Sequence, residues 1–130
     1  ELLIEAYVDK KYTKLDIYTS IKDAINSLIK YKTTEGYIIS KKNEYLGKVS
    51  LINLINKENY NISNYIIKKP LVIDPKSNLL EVIKSLTTFV GESIPIVNRE
   101  TNQMIGIISE NDVLAAYLEI SEEINKIEKH

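Results

Sequence analysis

The apolar positions along the chain fall into two sets that repeat. Ile21, Ala24, Ile25 and Leu28 are spaced as i, i+3, i+4 and i+7, the stripe of an amphipathic helix. Leu79, Val82, Ile83 and Leu86, 58 residues on, carry the same spacing. That offset also sets Ile38 against Ile96 and Ile39 against Val97, in apolar runs short enough for strands. One extra residue in the second turn makes the offset 59 from there. Leu46-Gly47 then meets Ile105-Gly106, Val49-Ser50 meets Ile108-Ser109, Asn53 meets Asp112, and Leu54-Ile55 meets Val113-Leu114. The chain is an internal duplication.

Each half predicts strand, helix, strand, turn, strand, helix. In the first, a strand near Ile17 leads to a helix from Ser20 to Tyr31. Strands Tyr37–Ser40 and Leu46–Ser50 follow, joined by the turn Lys41–Tyr45, and a helix begins at Leu51. In the second, strand Leu71–Ile73 precedes a helix from Asn78 to Thr88. Strands Ile94–Val97 and Met104–Ser109 flank the polar turn Asn98–Gln103. The polar run Asn59–Asn64 reads as the link between halves. Ile120, Ile124 and Ile127 keep helical spacing, so a C-terminal helix is expected. The fold class is α/β, two tandem β-α-β-β-α repeats packed through their sheets. Residues 1–60 form the first repeat with an N-terminal lead-in, and 61–130 the second with the C-terminal helix.

Composition narrows the function. At 130 residues and 44% hydrophobic, the chain can bury one core shared by two halves. No apolar run approaches the roughly 20 residues of a spanning helix, and no signal-peptide arrangement is present. The first residue is Glu1 rather than methionine, which points to a segment of something longer. Seventeen basic and eighteen acidic residues leave a net charge of −1. A nucleic-acid partner is not expected, because it would call for a basic patch or stripe. The pairs Lys41-Lys42 and Lys68-Lys69 read as solvated loops. Absence of cysteine excludes disulfides and thiol chemistry and fits a reducing compartment. His130, the last residue, is the only histidine, so neither a zinc site nor a Ser-His-Asp triad nor a Cys-His pair can be assembled. No catalytic or metal-ligating residue is assigned, and an enzyme is not expected.

The chemistry gathers where a strand becomes a helix. Ser109 and Asp112 form a short capping box, and Ser50 with Asn53 a weaker copy. Such a cap contributes about 1 kcal/mol and requires no ligand. The same residues suit a nucleotide. A helix N-terminus seats phosphate, and a nearby carboxylate accepts hydrogen bonds from ribose hydroxyls.

The run Ile94–Val97 followed by Gly106–Asp112 shows the pattern hydrophobic-Pro-hydrophobic-Val, then Gly-hydrophobic-x-Ser-x-x-Asp. Gly36–Ile39 and Gly47–Asn53 are a worn copy. Both resemble CBS domains, the cystathionine β-synthase type, whose functional unit is a tandem pair. More narrowly, Phe89–Val97 and Ala115–Glu119 resemble the cytoplasmic CBS pair behind the membrane domain of bacterial CLC-type chloride channels and transporters.

This resemblance implies a regulatory module with pseudo-two-fold symmetry and two clefts for ATP, ADP or AMP, with no cofactor required. In the first cleft Ser109 and Asp112 would face Ile17, Thr33, Thr34, Glu35 and Gly36. The second, weaker cleft would join Ser50 and Asn53 to Ile73, Glu92, Ser93 and Ile94. Asn53 lacks the charge that strengthens a ribose contact, and Glu92 would stand near the ligand. In the first cleft Glu110 would stand near the phosphates. Tyr37, where the family usually has proline, can stack on a base or serve as core. The partners implied are a second copy, giving a homodimer through the CBS pairs, and the membrane transport domain of the same parent chain. The implied location is cytoplasmic, at the cytosolic face of a membrane protein. The alternative is a module that dimerises and stabilises its parent without a ligand.

Overall fold

The computed structural model describes residues 4–57, 61–68 and 70–128; the expectations placed on Glu1, Asn59, Lys69 and His130 lie outside them. Its elements are β1 (Lys14–Leu15), α1 (Ile21–Lys30), β2 (Glu35–Ile39), β3 (Tyr45–Ser50) and α2 (Leu51–Leu54) in the first half. The second half has α3 (Leu79–Ser85), β4 (Ser93–Val97), β5 (Met104–Ser109) and α4 (Glu110–Glu128). A 3-10 turn at Ile4–Tyr7 leads into the first half, and one at Ile62–Tyr65 into the second. The fold is α/β with two repeats, as the hydrophobic pattern predicts.

The duplication holds at the level of register. β1 runs parallel to β2 with Leu15 opposite Ile38, and Ile73 bridges Ile96 in parallel, each 58 residues on. The antiparallel pair β2–β3 shifts register between Ile38 and Ile39, and β4–β5 shifts between Ile96 and Val97. Ser20 caps α1 by accepting from the Asp23 N–H at 3.1 Å, and Asn78 caps α3 by accepting from Leu80 at 2.8 Å.

Several elements differ from expectation. The first strand lies at Lys14–Leu15 rather than near Ile17, because Asp16 and Thr19 hydrogen-bond backbone N–H groups in a tight turn. The strand expected over Leu71–Ile73 is the single bridge at Ile73. α3 closes in a 3-10 turn over Leu86–Thr88. The helix starting at Leu51 is one turn long, and Asn56, at φ 64°, turns the chain away from it. Its counterpart α4 runs for 19 residues. Among the described residues no helix is long and apolar enough to cross a membrane.

Each half completes its core with the other's lead-in. Ile4 is fully buried among Val82, Ile94, Ile108 and Val113 of the second half. Ile62 is fully buried among Leu28, Ile38, Val49 and Leu54 of the first. The lead-ins then cross the last strands. Asp9 exchanges two backbone hydrogen bonds with Ile107 of β5, at 2.8 and 2.9 Å, and the Ile67 N–H donates to the Lys48 carbonyl of β3 at 2.9 Å. This crossing explains the two glycines of the repeated pattern. A Cβ on Gly106 would lie 2.4 Å from a Val8 methyl and 2.6 Å from the Asp9 carbonyl oxygen, and one on Gly47 would lie 2.7 Å from Ile66.

The local two-fold axis passes between the hairpin turns, where Glu44 bridges Gln103. Tyr45 N–H donates to the Asn102 carbonyl at 2.9 Å and Met104 N–H to the Asn43 carbonyl at 3.0 Å. The Asn43 side-chain amide donates to the Met104 carbonyl and that of Asn102 to the Tyr45 carbonyl, both at 2.9 Å. Both asparagines hold the left-handed conformation, φ 64° and 59°, which asparagine tolerates best among residues with a Cβ. Tyr37, Ile39, Val97 and Met104 pack beneath this junction.

Replacing Asn43 by Ala removes one inter-repeat hydrogen bond and strains a left-handed residue. A loss of about 1–3 kcal/mol is expected in urea melts, with Asn43→Gly losing less because glycine keeps the conformation. The Tyr45 hydroxyl is buried without a partner among the described residues, and burial pushes its pKa up to about 12 from 10.0. The protonated form is therefore favoured by folding, and its contribution is present below pH 10.0 and lost as pH rises toward about 12. Tyr45→Phe is expected to be neutral or stabilising by about 1 kcal/mol at neutral pH and to shrink the alkaline loss, both read from melts across pH.

Candidate functional site

A cleft of about 710 Å³ opens between the Lys10–Lys14 segment, the end of α1 and β2. Lys10, Lys11 and Lys14 stand on one side of it, and Tyr12, Tyr31 and Tyr37 supply aromatic surface. Thr33 and Glu35 line it from the first half, and Ser93 and Ile107 from the second. Tyr12 meets the Tyr37 ring edge-on at 5.9 Å, and the Lys14 ammonium lies 5.2 Å over the Tyr12 ring. Burial raises the pKa of both Tyr12 and Tyr37, so these phenols stay neutral at physiological pH. Three lysines beside neutral aromatic faces make a surface that attracts anions carrying a flat apolar group.

Behind this cleft lies a buried ion pair. Lys48 Nζ is 2.8 Å from Glu35 Oε2, with side-chain exposures of 4% and 7%. Glu35 Oε1 accepts from the Glu92 and Ser93 N–H groups at 3.1 and 2.7 Å and from the Ser93 hydroxyl at 2.8 Å. Since Ser93 gives its one hydroxyl proton to Glu35, the 2.5 Å contact between Tyr37 and Ser93 has the tyrosine as donor. Lys48 also donates to the Ser93 carbonyl at 2.6 Å and lies 5.5 Å from the Phe89 ring centroid and 5.9 Å from that of Tyr37. A buried charge pair with this many partners meets the desolvation cost that an isolated one cannot.

The residues carried over from the repeated motif are distributed as follows. Thr33 and Glu35 line the open cleft; Thr34 is exposed, and its carbonyl accepts from the Leu51 N–H at 2.7 Å. Gly36 is buried against Leu15 and Leu28, and Ile17 packs on the first-half core rather than lining the cleft. Ser109 ends β5 on the same strand face as Ile107, and its hydroxyl caps α4 by accepting from the Asp112 N–H at 3.1 Å. Asp112 is exposed in the first turn of α4. Ser50 makes no side-chain cap bond, and Asn53 is exposed on α2. Ile73 and Ile94 are buried in the second-half core. Glu92 contributes its N–H to Glu35, and Ser93 joins Glu35 although the motif placed them in opposite clefts.

The lysines and tyrosines of the lead-in were missed by motif reasoning. A signal was present: Lys10-Lys11 recurs as Lys68-Lys69 at the same 58-residue offset.

Residues 62–119 match the family model described as CBS domain. The chain is 25% identical over 119 residues to the uncharacterized protein MJ0188 of Methanocaldococcus jannaschii, covering 89% of this chain and 44% of that protein. It spans less than half the length of the curated relatives it matches, 44% and 46%. The cystathionine beta-synthase pair domain of a putative Mg2+ transporter from Shewanella oneidensis superposes with a TM-score of 0.82 at 15% identity, covering 93% of this chain and 72% of that one. CBSX2 of Arabidopsis thaliana, solved in complex with AMP, superposes with a TM-score of 0.75 at 21% identity, covering 93% and 99%. These likenesses show the fold, that of a CBS-domain pair.

The ion pair makes its own prediction. Lys48→Met strands the buried Glu35 carboxylate, and a loss of about 3–5 kcal/mol in chemical denaturation is expected. Combining it with Glu35→Gln removes the uncompensated charge and is expected to recover part of that loss, a coupling read from the double-mutant cycle.

Proposed function

We propose that this CBS-domain pair is a regulatory module, not a catalyst, that takes an adenine nucleotide in the open cleft and passes its occupancy to a larger parent protein. The single observation that carries this reading is the cleft itself, with Lys10, Lys11 and Lys14 set beside Tyr12, Tyr31 and Tyr37. The base would lie against the tyrosines and the phosphates would be met by the lysines. Ser109, at the end of β5, would orient phosphate, and Asp112 would hold ribose while both keep their place at the start of α4. AMP is the ligand named for the Arabidopsis structure, and AMP, ADP and ATP are the candidates here.

The parent is proposed to be a membrane transport protein, with the module at its cytosolic face. The name of the Shewanella neighbour supports a transport parent in general, and the CLC type remains the narrower reading carried by Phe89–Val97. Residues 1–60 and 61–130 are taken as the two repeats. A homodimer is proposed through the helices, where Leu80, Leu114 and Leu118 are exposed.

Titration with AMP, ADP and ATP, with melting temperature followed on the same samples, tests the reading, because a ligand of the native state raises apparent stability by mass action. Lys11→Glu is expected to weaken ADP and ATP more than AMP. Asp112→Asn is expected to weaken all three about fivefold, the order set by replacing an ionised acceptor with a neutral one, while shifting the melt little. No binding at millimolar concentration would leave a ligand-free structural module as the answer.

A further inference from the structure

The two-fold repeat defines where a second cleft should be. Offsetting the lining of the open cleft by 58 or 59 residues sends Tyr31 to Phe89, Thr33 to Gly91, Glu35 to Ser93 and Ser93 to Glu35, and it sends Ile107 back to Lys48. The Lys48 ammonium lies among those counterparts. It is bonded to Glu35 and to the Ser93 carbonyl, sits over Phe89, and stands 3.0 Å from where a Cβ on Gly91 would be. Gly91 itself holds φ 145°, a conformation strained for any residue with a side chain.

We infer that Lys48 is a built-in occupant of the second cleft, so that the chain takes one nucleotide and only in the first. The reason lies in a single asymmetric exchange. Where β5 offers the apolar, beta-branched Ile107, β3 offers a long cation. Where β4 offers Ser93, β2 offers Glu35, the anion that holds that cation in place. The ammonium puts a fixed positive charge where the other cleft has open volume, and the Phe89 ring closes over it. Glu35 thereby borders the open cleft on one side and anchors Lys48 and the Glu92–Ser93 backbone on the other.

This inference rests on the nucleotide reading above, and counting equivalents separates the two. In a saturating titration with ATP and AMP, the wild-type chain is expected to bind one equivalent. Lys48→Ala/Glu35→Gln, which empties the second cleft without leaving a buried charge, is expected to bind two. That is one more than Glu35→Gln alone, the comparison that isolates Lys48 because Glu35 also borders the open cleft. Should that variant fail to fold, Lys48→Ile/Glu35→Ser installs at both positions the residues of the other half and is expected to give the same count. Two equivalents on wild type, or a folded double variant that binds no more than its Glu35 single variant, would overturn the inference and leave the proposed function standing. Binding by the variant alone would support the plug and overturn the first-cleft reading. Absence of binding to either protein would overturn both.

Discussion

Neither half of this chain can close its own core. Ile4, from the lead-in to the first half, fills the second, and Ile62, from the lead-in to the second, fills the first. Burying an isoleucine completely is worth roughly 1.5–3 kcal/mol, so each half is tied to the other by a term comparable with a large share of a small domain's net stability. The lead-ins reach those positions only by crossing β3 and β5, which requires glycine at Gly47 and Gly106. What looks in sequence like a ligand-binding motif therefore begins with a packing constraint. The close approach of the Asp9 backbone sets Gly106 and the Ile66 side chain sets Gly47, and the serine that follows sits where the strand gives way to a helix.

The hairpin junction fixes the relation between halves that the exchange of lead-ins requires. Four hydrogen bonds across the Glu44–Gln103 bridge are donated and accepted in matched pairs, each half supplying one backbone N–H and one asparagine amide. Such reciprocity is what a local two-fold axis imposes, since any interaction from first half to second must be returned. The aromatic and apolar cluster under the junction, with Tyr37 at its centre, then sets the floor of the open cleft.

Against this symmetry the ion pair is a local breach with a wide effect. Glu35 belongs to β2 and Ser93 to β4, and their hydrogen bonds tie the loop before β4 to the edge of the opposite cleft. A ligand pressing on Glu35 or Tyr37 thus meets groups bonded directly to the other half, the kind of contiguous contact through which occupancy of a cleft is felt elsewhere. A lysine at position 48 would be costly in an apolar strand of either half alone. It is tolerated because the carboxylate, a carbonyl and two ring faces converge on it from both halves.

Much of this architecture was legible in the residues. The stripes Ile21–Leu28 and Leu79–Leu86, and the strand runs around Ile38 and Ile96, record which faces are buried, and they did so twice in register. The cap at Ser109 could be read for the same reason, since residues three apart on a helix start are neighbours whatever the fold. The boundaries that moved are those decided by weak local competition, such as the turn at Asp16–Thr19 and the left-handed Asn56. The exchange of lead-ins and the closing of one cleft by Lys48 were decided only by tertiary structure. Periodicity reports that a face is covered, but it is blind to what covers it. Ser93 lies 45 positions from Lys48 and 58 from Glu35, and Ile4 lies 78 from Val82. The β2–β3 pairing sets Lys48 beside Glu35 and Tyr37, and only folding about the two-fold axis brings Phe89 and Ser93 of the other half onto them, a convergence that exists nowhere in the unfolded sequence.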